Sequence, residues 1–550
     1  MSNPFEEDNP FEDSSPFEEG NSPEDSSIPV QSAGKTVTSI PVEPAFSLPH
    51  DYPKIDYKEA LNDDQYGAVT AKPGPILVLA GAGSGKTRTL TYRVAWLLEQ
   101  GYKPSEVLLL TFTNKAAKEM LERVEELTGV PSYKFWGGTF HSLGQKILRV
   151  HGALVGLGSN FNIMDQGDAE GVLTEAIRTV NPDYLKKKDN PKAKVIHGMI
   201  SYARNTRRPV IDVIEDTYQG FRDIKEAVFD FAEMYRKLKL EKQVADYDDL
   251  LEYWLLVLNK DAAVAKIYQE RFKHILVDEY QDTNSLQSSI IDKLADKDQI
   301  MAVGDDAQCI YTWRGAEFTN ILTFPQRHKN TAVHKIEINY RSSPEILNMA
   351  NDILQYDGEN AEFKKELRSI RPGTQKPQFI KAHDTRHQAK FVASKIRQAY
   401  DSGISLSDIA ILYRAHYHAM DVQMELSRQG IPFQITSGVR FFEQSHVKDL
   451  TAQLRFACNP NDTTAFQRFV CLLPRVGAKS AERLYKLAQK KAEKENIHII
   501  DALADPDIEK KVPGDAREEW PSLIQTLIDI KSMVALKEAP SEIVRVAIEG

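Results

Sequence analysis

Ile76-Leu77-Val78-Leu79-Ala80-Gly81-Ala82-Gly83-Ser84-Gly85-Lys86-Thr87 is the stretch whose reading decides the fold. Its apolar start predicts a strand buried on both faces. A helix is predicted to begin near Lys86, with Leu90, Val94, Leu97 and Leu98 on one face. The small residues between them let successive backbone N–H groups turn toward an anion, and the helix N-terminus adds its positive end. Phosphate fits this cradle, with Lys86 reaching the β- and γ-phosphates and the Thr87 hydroxyl ligating Mg²⁺. Ala80 stands where the G-x-x-x-x-G-K-[ST] pattern begins with glycine, and a small residue still fits there. The plain alternative is a glycine-rich turn joining a strand to a helix.

A second apolar run ends in acid: Ile275-Leu276-Val277-Asp278-Glu279-Tyr280-Gln281-Asp282. A lone Asp-Glu pair is usually a solvated turn, but four apolar residues before it place this pair at the end of a buried strand. Asp278 is expected to hold Mg²⁺, and Glu279 to orient and deprotonate an attacking water. The two stretches together imply hydrolysis of a nucleoside triphosphate.

With 550 residues the chain is too long for one core, and 41% hydrophobic with 27% charged residues suits a globular protein. No apolar stretch is long enough to span a bilayer, and no basic-then-apolar leader is present, so no membrane partner is expected. Cys309, Cys458 and Cys471 lack metal-ligand spacing, which favours a reducing, cytoplasmic setting. The net charge of −10 is concentrated: residues 1–50 hold ten acidic side chains against Lys35, leaving about −1 for the rest. Local basic surfaces are therefore permitted.

Residues 1–56 read as an acidic tail without a core. Pro-Phe-Glu recurs at Pro4, Pro10 and Pro16, so Phe5, Phe11 and Phe17 could dock into a protein partner, or the tail could simply solvate the chain. Strand candidates at 76–80, 107–112, 275–278, 301–304 and 335–338 alternate with helical patterns, giving an α/β parallel sheet with its chemistry at the strand C-terminal ends. One α/β unit is expected over 57–159 and 243–334, interrupted by a helical insertion at 160–242. A second begins at 335–445, with a strand candidate at Ile409–Tyr413, and a second helical insertion fills 446–550. Pro474-Arg475-Val476-Gly477-Ala478-Lys479-Ser480 resembles a glycine turn between two helices.

Further motifs follow in order. Leu61-Asn62-Asp63-Asp64-Gln65, Leu110-Thr111-Phe112-Thr113-Asn114-Lys115 and Gly138-Thr139-Phe140-His141-Ser142 flank the phosphate loop. Val303-Gly304-Asp305-Asp306-Ala307-Gln308 runs into Ile310-Tyr311-Thr312-Trp313-Arg314, and Asn339-Tyr340-Arg341-Ser342-Ser343 comes after. From about residue 57 onward this series resembles superfamily 1 DNA helicases of the UvrD/Rep/PcrA type. The resemblance implies a P-loop NTPase fold with RecA-like motor domains, acting 3′→5′ on single-stranded and partly duplex DNA in repair or replication, with ATP and Mg²⁺ as cofactors. It makes Gln65 an adenine reader with Arg88 nearby, Gln308 a γ-phosphate sensor, Tyr340 an adenine-stacking ring and Arg341 a γ-phosphate ligand from the second motor domain.

Phe112, Tyr311 and Trp313 fit a track on which bases stack, although aromatics are more commonly core residues. Asn114, Thr139, His141 and Arg414 are candidates for DNA phosphate contacts, with a structural role equally open for His141. The resemblance also implies two later motifs, one of the form His-x-x-Lys-Gly-Leu-Glu and one with a Thr-Arg pair. Neither is in the sequence, so the chain reads as stopping within the second insertion, with a half-built second motor domain that exposes apolar surface. A non-motor nucleotide- or DNA-binding module is the alternative, and a RecB-like nuclease-helicase a more distant one.

Overall fold

The protein is seen in a computed structural model that describes residues 54–187, 189–295, 299–310, 315, 319–355, 365–435 and 445–549. The Pro-Phe-Glu tail, Tyr311, Trp313 and Gly438–Phe442 lie outside them. Among these residues the strands are β1 (Ile76–Ala80), β2 (Val107–Thr111), β3 (Trp136–Thr139), β4 (Asn162–Ile163), β5 (Val244–Ala245), β6 (His274–Val277), β7 (Ile300–Gly304), β8 (Ala332–Ile336), β9 (Ile338–Asn339) and β10 (Arg368–Ser369).

Six strands form one parallel sheet in the order β3-β2-β6-β7-β1-β8. The period-2 alternation of strand side chains divides its apolar runs between two cores. Leu77, Leu79, Leu108, Leu110, Ile275, Val277, Ile300 and Ala302 face one side, where Leu143, Ile147, Leu250, Trp254 and Ile290 cover them. Ile76, Val78, Val107, Leu109, Leu276, Met301 and Val303 face the other, against Leu90, Val94, Leu97, Met120 and Val124. Continuous apolar strands are what helices on both faces require.

Two buried polar groups shape this lobe. The Arg93 guanidinium donates to the Val69 carbonyl at 2.7 Å and the Ala71 carbonyl at 2.5 Å, and lies 4.5 Å from the Trp96 ring centroid. It thereby holds the end of the helix Asp63–Thr70 through cation-to-carbonyl bonds. Burial lowers its pKa to about 10, so it stays charged at neutral pH. His274 opens β6 edge-on to Tyr102, with ring centroids 4.2 Å apart. Burial, aided by the Arg93 charge, pulls its pKa down to about 3.

The insertion at 160–242 packs the helices Gln166–Val180, Ala193–Thr206, Val210–Asp216 and Lys225–Lys242 around its own core. Its stem carries a strand pair absent from the sequence reading, β4 beside β5, with Asn162 opposite Val244 and Ile163 opposite Ala245. Buried ion pairs fasten it to the sheet lobe. Arg204 meets Asp246 at 3.2 Å, Asp249 at 2.5 Å and Glu252 at 2.6 Å, while Lys239 meets the same two aspartates at 2.5 and 2.6 Å. Asp246 also caps the helix Tyr247–Lys260. Removing one partner from such a buried network costs about 3–5 kcal/mol, because it strands a charge.

Two strand expectations are corrected. The run expected at 335–338 is split at Glu337: β8 ends in the first sheet, whereas β9 pairs with β10 in the second lobe. The first sheet therefore extends to Ile336, past the boundary expected at 334. Ile409–Tyr413 is extended but forms no strand, since no neighbouring strand among the described residues accepts its backbone bonds. Leu412 there is 94% exposed, as is Phe379 at 93% in another unpaired extended segment. The second lobe has only a small core, in which Ala389, Ala393 and Ile396 meet Val422 and Leu426. Residues 445–549 form an independent helical cluster around Phe456, Phe466, Phe469 and Trp520. It touches the first insertion through Lys448–Asp165 at 3.0 Å and Arg455–Asp168. No helix among the described residues is long and apolar enough to cross a membrane.

His274 gives this lobe a testable acid sensitivity. Its folded pKa lies below the unfolded value of about 6.5, so the unfolded chain binds the proton first, and stability present above pH 6.5 is lost as pH falls toward 3. The expected loss is roughly 1.4 kcal/mol per pH unit in that window. Melting curves of His274→Phe should therefore fall less between pH 7 and pH 5 than those of the unaltered protein, and equal slopes would contradict the assignment.

Candidate nucleotide site

β6, β7 and β1 are neighbours in the sheet, so the loops leaving their C-terminal ends share one crevice. Ala80 is the last residue of β1 and fully buried, so alanine suits the strand backbone where the loop pattern has glycine. Glycine is required further on: Gly83 has φ 76° and Gly85 φ 89°. Within the loop the Ser84 hydroxyl donates to the Gly81 carbonyl at 2.7 Å. Lys86 and Thr87 begin the helix Lys86–Glu99, and the Lys86 ammonium pairs with the Glu279 carboxylate. Gln65 is buried beside the loop: its amide donates to the Ser84 carbonyl at 2.9 Å, while its oxygen accepts from the Asn62 N–H at 3.4 Å. One amide hydrogen and one lone pair of Gln65 remain after these two bonds. Arg88 is exposed and donates to the Ala60 carbonyl at 2.8 Å.

The acids after β6 are crowded. Burial, then the neighbouring Glu279, raises the Asp278 pKa to about 6. The same two causes raise Asp282 to about 7. Glu279 sits in the left-handed region at φ 47°, ψ 47°, an uncommon conformation that turns its side chain toward Lys86. Gln281, fully buried, donates to Glu279 at 2.7 Å and accepts from the Asp305 N–H at 2.9 Å. Asp305 in turn accepts from the Gln308 amide at 2.5 Å. The Asp282 Oδ1 atom is buried without a hydrogen-bond partner. Carboxylates with raised pKa values beside an orphaned oxygen fit a divalent cation.

The second lobe reaches into the same crevice. Asn339, fully buried, donates to the Ala82 carbonyl and accepts from the Arg341 N–H at 2.9 Å and the Ser342 N–H at 2.8 Å. The Tyr340 N–H donates to the Gly83 carbonyl at 2.9 Å, and its hydroxyl accepts from Asn62 at 2.8 Å. This places the Tyr340 ring beside the Gln65 helix and Arg341 against the loop. Lys365 bonds Asp305 and Asp306, each at 2.5 Å. Although burial works against the charge, the two aspartates hold its ammonium above the usual lysine range. A Cβ on Gly81 would meet the methyl groups of Leu367, which packs over the loop from the second lobe and would have to shift to make room.

Asn62, Gln281, Asn339, Lys365 and Leu367 were given no role by sequence reasoning. Asn62, Gln281 and Asn339 sit inside quoted motifs, but only their bonds distinguish them from neighbours. Lys365 carries no local pattern at all. Of the DNA candidates, Phe112, Asn114 and Thr139 lie toward another edge of the sheet. Phe112 and Asn114 follow β2, and Thr139 ends β3. Thr139 is buried, and its hydroxyl caps the helix Phe140–His151 by accepting from the Ser142 N–H at 3.2 Å. The His141 ring packs edge-on to Tyr247 at 5.8 Å, a structural contact. Arg414 is exposed in the second lobe.

A parallel sheet with a phosphate loop after β1 and paired acids after β6, two strands away, defines a P-loop NTPase fold. Comparison with known proteins makes the class specific. Residues 61–329 match the UvrD/REP helicase N-terminal domain, and residues 334–521 the UvrD-like helicase C-terminal domain. The chain belongs to the UvrD/REP helicase family. It is 34% identical over 491 residues to the ATP-dependent DNA helicase PcrA of Staphylococcus epidermidis strain RP62A, covering 88% of this chain and 65% of that one. The ATP-dependent DNA helicase PcrA of Staphylococcus aureus strain NCTC 8325 matches with the same identity and coverage. The chain thus spans 65% of the length of these relatives.

Gly83→Ala tests the loop geometry. Its Cβ would meet Arg341 Cβ at 2.5 Å, on a backbone at φ 76° that L-residues disfavour by roughly 1–2 kcal/mol. Affinity for a fluorescent ATP analogue should fall about tenfold or more, and unchanged affinity would show that the loop relaxes without strain.

Proposed function

We propose that this chain is the ATP-driven motor of a 3′→5′ DNA helicase, stepping along single-stranded DNA and opening partly duplex DNA. One observation carries the reading: a continuous set of bonds runs from Lys86 through Glu279, Gln281 and Asp305 to Gln308, while Asn339–Arg341 of the second lobe closes on the phosphate loop. Such a site responds both to phosphate and to lobe closure. The polarity follows from the family resemblance, as does a role in repair or replication within the cytoplasm.

The residues take these roles. Loop amides from Gly81 to Gly85 bind phosphate oxygens, and Lys86 leaves Glu279 for the β- and γ-phosphates. That exchange frees the Glu279 carboxylate to accept a proton from the attacking water. Asp278 and Thr87 would hold Mg²⁺, which when bound would supply charge neutralisation on the phosphates. Gln308 senses the γ-phosphate, and Arg341 stabilises charge as the terminal bond breaks. Gln65 and Tyr340 hold adenine, with Arg88 beside them. Phe112, Asn114, Thr139, His141, Tyr311, Trp313 and Arg414 contact single-stranded DNA, Thr139 and His141 from positions already tied into the helix that follows β3. On the second helical cluster, Lys479, Arg483, Lys486 and Lys490 share one face of the helix Ala478–Glu495, a cationic stripe suited to duplex phosphates. The Phe5, Phe11 and Phe17 repeats are assigned to a protein partner.

Two experiments test this. Glu279→Gln should keep nucleotide affinity within threefold while lowering DNA-stimulated ATP hydrolysis by roughly 10²-fold or more. Lys86→Ala should lose nucleotide binding as well. Hydrolysis unaffected by either change would sink the motor reading, and nucleotide binding without any hydrolysis in the unaltered chain would favour a binding module. For the stripe, a double change of Lys486 and Lys490 to Gln should weaken duplex binding. The slope of log affinity against log salt should shrink by about 0.9 for each phosphate that is no longer neutralised.

A further inference from the structure

The segment Lys365–Arg371 of the second lobe meets the site at three points, only one of which is a charged side chain of the first lobe. Leu367 lies over Gly81, and the Arg371 guanidinium donates to the Arg341 carbonyl at 2.6 Å. Lys365, nearly fully buried, bonds the carboxylates of Asp305 and Asp306 at 2.5 Å each. Asp305 is also nearly fully buried, whereas Asp306 is partly open to solvent. Lys365 thus provides a cation from one lobe to an acidic pair on the other.

Asp305 is the hub of the turn after β7. Its Oδ2 accepts from the Gln308 amide at 2.5 Å, its Oδ1 accepts from the Ala307 N–H at 3.2 Å, and its own N–H donates to Gln281 at 2.9 Å. Gln281 continues the path to Glu279 at 2.7 Å. An aspartate that caps a turn, orients Gln308 and meets a buried ammonium has few alternative rotamers. Take the ammonium away, and Asp305 and Asp306 become adjacent like charges free to separate, carrying Gln308 with them.

We propose that Lys365 is a positioning residue for hydrolysis: by clamping Asp305 and Asp306 from the second lobe, it sets Gln308 and, through Gln281, Glu279, so that the lobe contact is reported to the hydrolytic residues. This rests on the motor reading given above. Lys365 directs its ammonium to the carboxylates of Asp305 and Asp306. Its loss therefore changes turnover rather than nucleotide affinity.

The test compares the full chain with Lys365→Met and Lys365→Arg, by melting temperature, by steady-state ATPase with and without oligo-dT, and by amide hydrogen exchange at residues 305–308. Lys365→Met should keep KM for ATP within about threefold and lose at least tenfold in DNA-stimulated kcat, and amide exchange at 305–308 should rise. Lys365→Arg, which keeps the cation, should restore most of kcat and the protection. A kcat for Lys365→Met within twofold of the unaltered chain overturns the proposal, as does an equal loss in both variants. If the unaltered chain hydrolyses no ATP, the motor reading fails by itself, and the exchange data decide the clamp. Faster exchange at 305–308 in Lys365→Met alone, with melting held, supports it; unchanged exchange overturns it.

Discussion

Five carboxylates gathered at the ends of two adjacent strands are the constraint on which the rest of this site depends. Asp278, Glu279 and Asp282 follow β6, and Asp305 and Asp306 follow β7. A parallel sheet with this strand order cannot avoid bringing them together. Burial, with the Glu279 charge adding to it, raises the pKa values of Asp278 and Asp282. Two lysines answer the carboxylates from opposite sides: Lys86 from the helix after β1 meets Glu279, and Lys365 from the second lobe meets Asp305 and Asp306. A bound triphosphate would add further negative charge to this crevice. It can enter only by drawing Lys86 away from Glu279, together with a cation for the remaining acids.

The sheet was legible in the sequence because its strands are continuous apolar runs ending in distinctive chemistry. Ile76–Ala80 and Ile275–Val277 needed no partner information, since burial on both faces leaves its mark on every residue. The phosphate loop was legible for a related reason: positive φ at Gly83 and Gly85 restricts residue choice locally. What escaped was whatever depends on distant partners. Glu337 breaks a strand-like run because the chain changes sheets there, and a change of sheet has no local residue pattern. Ile409–Tyr413 has strand composition but lacks a neighbour, and backbone pairing rather than propensity makes a strand. Lys365 reads as an ordinary surface lysine until Asp305 and Asp306 are placed 2.5 Å away. Asn339 is similar, its importance lying in bonds to Ala82, Arg341 and Ser342.

Buried ion pairs tie the first helical insertion to the sheet lobe, beside apolar packing such as that of Leu240 on the sheet core. Each insertion has its own core, so neither needs the sheet to bury its hydrophobic residues. At the first stem, Arg204 and Lys239 converge on Asp246 and Asp249. Between the insertions, Arg455 bridges Asp168 and Asp462, the latter at 2.8 Å, and Lys448 meets Asp165. Burial differs among these pairs. Lys239 and Asp249 are each 1% exposed, and Asp168 and Asp462 hold Arg455 from 7% and 0% exposure, whereas Lys448 and Asp165 are 24% and 37% exposed. Charges buried to the first degree cannot separate without a penalty of several kcal/mol, while partly exposed pairs exchange readily with water. The stem and the Arg455 pairs are therefore the rigid joints, and Lys448–Asp165 is the contact that solvent and salt can loosen.

The two lobes meet at the phosphate loop by backbone as much as by side chain. Tyr340 N–H and the Asn339 amide take the carbonyls of Gly83 and Ala82, on the loop whose N–H groups face the anion. A peptide group polarised at its carbonyl is a better donor at its N–H, and the Ser84 N–H of the peptide that Tyr340 takes donates to the Gly81 carbonyl at 3.2 Å, so the lobe contact braces the turn of the loop. Hydrogen bonds of this kind are short-ranged and directional, and a small displacement of the second lobe breaks several at once. Arg341 moves with that segment, and Lys365 carries the same displacement to Asp305. The phosphate loop is thus held on its carbonyl side by one lobe while its amide side is offered to the nucleotide.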